Sequence, residues 1–180
     1  MKTVFIAGSR SISRLNPTLR AKLSSVLRKK YRIVIGDANG ADKAVQKHLQ
    51  EMNYRNVVVF CMRECRNNLG GWPTRCISSD NVKGGFDYYS KKDERMARDS
   101  DCGLMLWDGK SRGTLRNIVQ LLQADKTVLV YLGPEKKFYT LEGPTDLRTF
   151  LAGHVPAALR TLESESFVPS TSNTQPAFDF

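Results

Sequence analysis

Leu104-Met105-Leu106-Trp107-Asp108-Gly109-Lys110-Ser111-Arg112-Gly113-Thr114 reads as three elements in a row: an apolar strand that stops at Trp107, a short donor-rich loop, and a helix beginning near Gly113. In a parallel α/β sheet such a loop lies at the carboxyl end of a strand, where backbone amides and a helix N-terminus converge on a bound anion. Phosphate is the expected guest. Lys110 and Arg112 bring charge, Ser111 and Thr114 bring hydroxyl donors, and Gly109 and Gly113 flank them. The plainer alternative is an ordinary strand-to-helix turn with solvated basic residues, but four polar donors around two glycines exceed what a turn requires.

The same strand, turn and helix recur on both sides of this stretch. Lys2 to Gly8 is a first strand whose continuous apolar run, Val4-Phe5-Ile6, suits a sheet covered on both faces. It ends in Gly8-Ser9-Arg10-Ser11-Ile12-Ser13-Arg14, a second candidate anion loop. Asn16-Pro17 then offers a cap and a first helical position, with Leu19, Leu23, Val26 and Leu27 at helical spacing. The second strand, Tyr31 to Ile35, runs into Gly36-Asp37-Ala38-Asn39-Gly40-Ala41-Asp42. Gly36 and Gly40 permit close backbone approach, Asn39 can cap the next helix, and Ala41, Ala44, Val45, Leu49 and Met52 form its buried stripe. The spacing is neither GxGxxG nor GxxxxGK[ST]. Asp37 and Asp42 would repel a phosphate, so they are better placed on ribose hydroxyls, or Asp42 serves the helix dipole.

Asn56 to Cys61 is a third strand. Residues 62–85 show no periodicity but carry four glycines, Trp72 and several arginines, a long loop of the kind that is either functional or disordered. Trp72 either stacks on a base or pins the loop to the body. A charged helix from Phe86 to Ser100, marked on one face by Phe86, Tyr89, Met96 and Ala97, leads to the fourth strand, Asp101 to Trp107. Leu115, Ile118, Val119, Leu121 and Leu122 stripe the helix after the opening loop, and Lys126 to Leu132 is a fifth strand. This rhythm predicts a parallel α/β sheet. Beyond Gly133-Pro134, Lys137 to Glu142 suits a short edge strand, Thr145 to Ala152 a helix, and Pro156 to Glu163 another. A single domain over 1–163 is expected, followed by a mobile polar tail over 164–180.

Composition narrows the classes of function. Apolar residues make up 41% and charged residues 26% of 180 residues, ordinary for a globular protein. Apolar runs are strand-sized, too short for a membrane span or a signal peptide, so no membrane partner and a cytoplasmic location are expected. The net charge of +10 favours anionic partners. The basic residues are nevertheless scattered, and no zinc-finger, KH or RRM signature accompanies them. Nucleic acid is therefore not expected as the partner and stands only as a third hypothesis, which leaves a solvated surface plus a small-anion site. Among the four cysteines, Cys102 suits a small core residue. Cys61, Cys65 and Cys76 lack the paired CxxC of a zinc ribbon, so reduced thiols are expected and no metal or cofactor.

Three motifs in register, Gly8-Ser9-Arg10, Gly36 to Asp42 and Trp107 to Thr114, resemble the SLOG superfamily, particularly its YpsA-like branch, over roughly residues 1 to 132. The resemblance implies a Rossmann-like three-layer sandwich with a mainly parallel five-stranded sheet, order 3-2-1-4-5. It further implies binding of a nucleotide or nucleotide-derived ligand of the nucleoside monophosphate, ADP-ribose or NAD type, with a sensor role as one form. Relatives include the LOG phosphoribohydrolases and the nucleoside deoxyribosyltransferases. In LOG enzymes a catalytic Glu follows the GT dipeptide by three residues, where this chain has Asn117, a neutral amide that cannot be an anionic nucleophile or general base. Binding is therefore the first expectation, and a nucleotide N-glycoside hydrolase or transferase, with Asp108 or Asp37 as the carboxylate, is the alternative. Arg10, Lys110, Ser111, Arg112 and Thr114 are assigned to phosphate, and Asp37 or Asp108 to ribose, unless Asp108 only sets the turn through an Asx contact. The oligomeric state stays open, with a homo-oligomer possible.

Overall fold

The computed structural model describes residues 1–77 and 86–154. In chain order the elements are β1 (Thr3–Gly8), α1 (Pro17–Arg28), β2 (Arg32–Gly36), α2 (Ala41–Glu51), β3 (Val57–Met62), β4 (Thr74–Ile77), α3 (Phe86–Arg98), β5 (Cys102–Trp107), α4 (Arg112–Gln123), β6 (Val128–Leu132), β7 (Lys137–Leu141) and α5 (Pro144–His154). Period-2 alternation sorts the strand side chains onto two faces. Phe5, Val34, Met105, Trp107 and Val130 pack with α3, α4 and α5. Val4, Ile6, Ile33, Ile35, Leu104 and Leu106 pack with α1 and α2. Both faces are thus covered, which explains why strands such as β5 are buried at every position.

The sheet has seven strands in the order β4-β3-β2-β1-β5-β6-β7, parallel throughout except for the β6–β7 pair. Count and order therefore differ from the expected five strands in order 3-2-1-4-5, because a strand is added at each edge. β7 arises from the short reversal after Gly133, too brief for a crossover, so it can only pair antiparallel. β4 comes from the stretch expected to be an irregular loop. Its residues are mostly exposed and carry no apolar periodicity, so pairing with β3 rather than local sequence makes it a strand.

That pairing also corrects the expectation of reduced thiols. Cys61 and Cys76 sit side by side in the β3–β4 register, with Cα atoms 4.7 Å apart, and are joined by a disulfide; Cys65 and Cys102 are free. Between β3 and β4, Trp72 is 5% exposed and its indole Nε1 donates to the Tyr54 carbonyl at 2.8 Å. It anchors the loop to the body.

Asn16 caps α1, its Oδ1 accepting from the Leu19 amide at 2.9 Å, with Pro17 opening the helix. The cap of α2 is Gly40 and not Asn39. With φ of +83° and the Arg10 backbone so close that a Cβ would come within 2.2 Å of it, that position requires glycine. Met96 and Ala97 of α3 are buried as their spacing predicts, whereas the side chains of Phe86 and Tyr89 lie outside the described residues. So do the helix expected over Pro156 to Glu163 and the tail over 164–180. Among the described residues no helix is long and apolar enough to cross a membrane.

Candidate functional site

Strand order reverses between β1 and β5: successive strands run outward through β2, β3 and β4 on one side and through β6 and β7 on the other. At such a switch point the loops after the two central strands diverge and leave a crevice at the carboxyl edge. A cavity of about 570 Å³ lies there, within the size range of ligand sites. The loops after β1, β2 and β5, the start of α4, and side chains of α3 line it.

Asp108 joins two of these loops. Its carboxylate accepts hydrogen bonds from Ser9 Oγ (3.0 Å), Ser11 Oγ (2.6 Å), and the amides of Lys110 (3.0 Å) and Ser111 (2.8 Å). In return, the Asp108 amide donates to Ser9 Oγ at 3.0 Å. Partial burial pushes the carboxyl up, but these hydrogen bonds together hold it below the ordinary carboxylate range. Asp108 is thus an ionised turn-setter, the Asx contact that its sequence position allowed. Ser9 is fully buried beneath it, so of the first loop Gly8, Arg10 and Ser11 face the cavity. Gly8 is packed so closely that a Cβ there would lie 2.4 Å from the Leu106 carbonyl oxygen.

Ser111 is the N-cap of α4, its hydroxyl accepting from the Thr114 amide at 3.3 Å, and its carbonyl holds the Trp107 indole at 2.9 Å. The first-turn amides of Arg112 and Gly113 have no acceptor within the helix, as at any helix start. With the helix dipole they make the α4 N-terminus favourable to an anion. Ser111, Gly113 and Thr114 line the cavity, while Lys110 and Arg112 are exposed and lie outside its lining. Gly109, at φ +77°, serves the turn. Arg10 lines the cavity, is exposed, and has no ion-pair partner among the described residues.

The second loop is used differently from expectation. Asp37 is 1% exposed and fully engaged by Arg66: Nε and the backbone amide donate to Oδ2 at 3.1 Å each, and Nη2 donates to Oδ1 at 2.8 Å. Burial raises the Asp37 pKa, but the Arg66 hydrogen bonds and the Lys92 charge bring it below its usual value. Both carboxylates considered for N-glycoside cleavage are thus occupied in holding loops. Asp42 is 6% exposed and lines the cavity with Lys92, itself 4% exposed. Both crowd Gly36, where a Cβ would meet Asp42 Oδ2 at 2.4 Å and Lys92 Nζ at 2.7 Å.

Asp93, Arg66, Arg116 and Asn117 are also among the lining residues, and of these Asn117 is the one the sequence singles out by position, for the missing Glu. Lys92 Nζ donates to Asp93 Oδ1 at 2.9 Å, and Asn117 Nδ2 to Asp93 Oδ2 at 3.4 Å. Burial lowers the Lys92 pKa, but Asp93 and Asp42 raise it further, so the ammonium stays charged. Nothing in the α3 sequence marks Lys92 and Asp93 apart from its other charges; only packing against α4 and the sheet turns them inward. Among the described residues no group of three or more His, Cys, Asp or Glu could hold a metal ion.

Fold and site together describe an α/β domain with an anion-directed crevice at its sheet edge. No family model and no curated protein matches the chain. A solved structure of DNA processing protein A from Helicobacter pylori, reported for its single-stranded DNA binding mode, is similar in fold at 15% sequence identity and a TM-score of 0.56, covering 92% of this chain and 82% of that one. At that identity the likeness establishes a shared fold and does not identify the YpsA-like branch. It nonetheless corrects two expectations, a nucleotide-derived small ligand or N-glycosidase as the function and nucleic acid as an unexpected partner, because the protein sharing the architecture binds single-stranded DNA.

Proposed function

We propose that this protein binds single-stranded nucleic acid across the crevice at the carboxyl ends of β1, β2 and β5. The observation that carries this is the meeting of Arg10, exposed and unpaired among the described residues, with the α4 N-terminus at the switch point. A phosphate there would receive the Arg10 guanidinium and the amides of Arg112 and Gly113. Lys110 and Arg112, exposed beside the cavity, are suited to the neighbouring phosphates of the same strand. Gly8, Ser11, Ser111 and Thr114 shape the contact, while Ser9, Asp37, Gly36, Gly40 and Asp108 hold the loops in place. The net charge of +10 supports a polyanionic partner, because each neutralised phosphate releases condensed counterions. The fold shared with a single-stranded DNA binder supports the same conclusion. The same proposal makes the domain a Rossmann-like member of the SLOG superfamily, which the shared fold supports.

Fluorescence anisotropy with a labelled 12-nucleotide single strand, titrated between 50 and 300 mM salt, tests it, with log K expected to fall by about 0.7 per phosphate contacted for each unit of log salt. Arg10→Ala should weaken binding about 10–100-fold, the loss of one charged hydrogen-bonding group, and reduce the salt slope by about one contact. Absent binding, or affinity indifferent to salt, would overturn the proposal.

A further inference from the structure

One residue lining the crevice carries a buried oxygen that the fold leaves without a hydrogen-bond partner. Asp42 is 94% buried, the complement of its 6% exposure, and lines the cavity. Its Oδ2 accepts the Ala38 amide at 3.1 Å, but Oδ1 has no hydrogen-bond partner among the described residues. Buried polar atoms are almost always partnered, so an orphaned carboxylate oxygen on a residue that lines the cavity is an acceptor the fold leaves over. Its surroundings select what can fill it. A metal cation would meet the Lys92 ammonium, and a phosphate would meet the carboxylates of Asp42 and Asp93. A neutral N–H or O–H donor meets neither objection.

Resting on the single-strand reading above, we propose that Asp42 reads one base of the bound strand, its Oδ1 accepting the exocyclic amino group of a cytosine, adenine or guanine. Carboxylates take the cytosine amino group in this way in base-specific recognition. Single strands expose such edges because their bases are unpaired and can be splayed into a pocket. The exocyclic amino group projects beyond the ring and can reach a recessed acceptor. Thymine offers only a ring N–H flanked by two carbonyl oxygens, which would set acceptor against acceptor at Asp42. Lys92, held between Asp93 and the Asp42 side of the crevice, supplies a donor for the ring nitrogen next to the amino group in cytosine and adenine.

Anisotropy titrations with labelled (dC)12, (dT)12 and (rU)12 at pH 8 and fixed salt separate the outcomes. Wild type should prefer (dC)12 to (dT)12 by about tenfold, the effect of one well-made base contact. Asp42→Asn, whose folding is checked by its melting transition, should bring the two strands to within about twofold, since an amide both donates and accepts. Should that variant not fold, the wild-type preference alone decides. Equal wild-type affinities for (dC)12 and (dT)12 would overturn the base contact while leaving single-strand binding intact. A preference for (rU)12 over (dT)12 without one for (dC)12 would assign the acceptor to a ribose 2′-hydroxyl and overturn it as well. Binding to none of the strands would remove both this inference and the function it rests on.

Discussion

Replacing Asp108 by Ala should unfasten the crevice. Its carboxylate ties the loop after β1 to the loop after β5 through Ser9, Ser11 and the amides of Lys110 and Ser111. A hydrogen bond to a charged acceptor contributes about 1.5–3 kcal/mol, and a neutral one about 1 kcal/mol. The four share one carboxylate, two of the donors face solvent, and such contributions do not add. A net loss of about 2–4 kcal/mol is therefore expected, larger than for most single substitutions because the buried Ser9 hydroxyl loses its carboxylate acceptor along with the three other donors. For a chain of this size that is roughly 5–15 °C in Tm. Asp108→Asn keeps one acceptor oxygen and should lose about half as much, roughly 1–2 kcal/mol. The sign with pH follows from the depressed pKa: the Asp108 contribution is present above the unfolded value of 3.8 and is lost as pH falls through the lower folded value. Thermal melts by circular dichroism at pH 7 and pH 3 measure both effects. An Asp108→Ala protein that melts within 1 °C or so of wild type at pH 7, on the scale of Tm shift per kcal/mol used here, would refute the role assigned to this carboxylate.

Three further outcomes are expected. Gly40→Ala places a Cβ against the Arg10 backbone at a φ of +83°, so it should destabilise by more than about 1 kcal/mol and weaken strand binding through the displaced Arg10, both measurable on one preparation. Reducing the Cys61–Cys76 disulfide, or changing both residues to Ser, should lower stability by about 3 kcal/mol, the loop-closure value for a separation of 15 residues, as read from denaturant midpoints with and without reductant. Asp42 behaves oppositely to Asp108. Burial raises its pKa to about 6 against the Lys92 charge, with Asp93 and Asp37 adding to the rise. Folding therefore favours its protonated form, and that stability, complete below 3.8, is lost as pH rises through about 6. Asp42→Asn should accordingly be at least as stable as wild type at pH 7.5, with the difference shrinking toward pH 4. A large destabilisation at pH 7.5 would refute this account of the Asp42 charge in folding.

Local patterns were enough to place most of the fold. Continuous apolar runs identify the strands buried on both faces, β1, β2, β3, β5 and β6, because a strand covered by helices needs apolar side chains at successive positions. Asn16-Pro17 marks a helix start because capping is a contact between residues three apart, and the turn around Asp108 is equally local. The sequence alone could thus locate the two loops that meet at the switch point, and the net charge that points to an anionic partner.

Contacts far apart in sequence decided the rest. β4 has no pattern of its own and becomes a strand only by pairing with β3, which also sets Cys76 beside Cys61. Trp72 offers the sequence two roles, stacking or anchoring, and its burial and its hydrogen bond to the Tyr54 carbonyl depend on a residue 18 positions away. Asp37 and Asp42, five residues apart with the same side chain, are given opposite states: Arg66 neutralises one, and the other is buried with an oxygen left over. Their difference depends on which distant side chains the tertiary fold brings within hydrogen-bonding reach, and side-chain type and spacing do not carry that information.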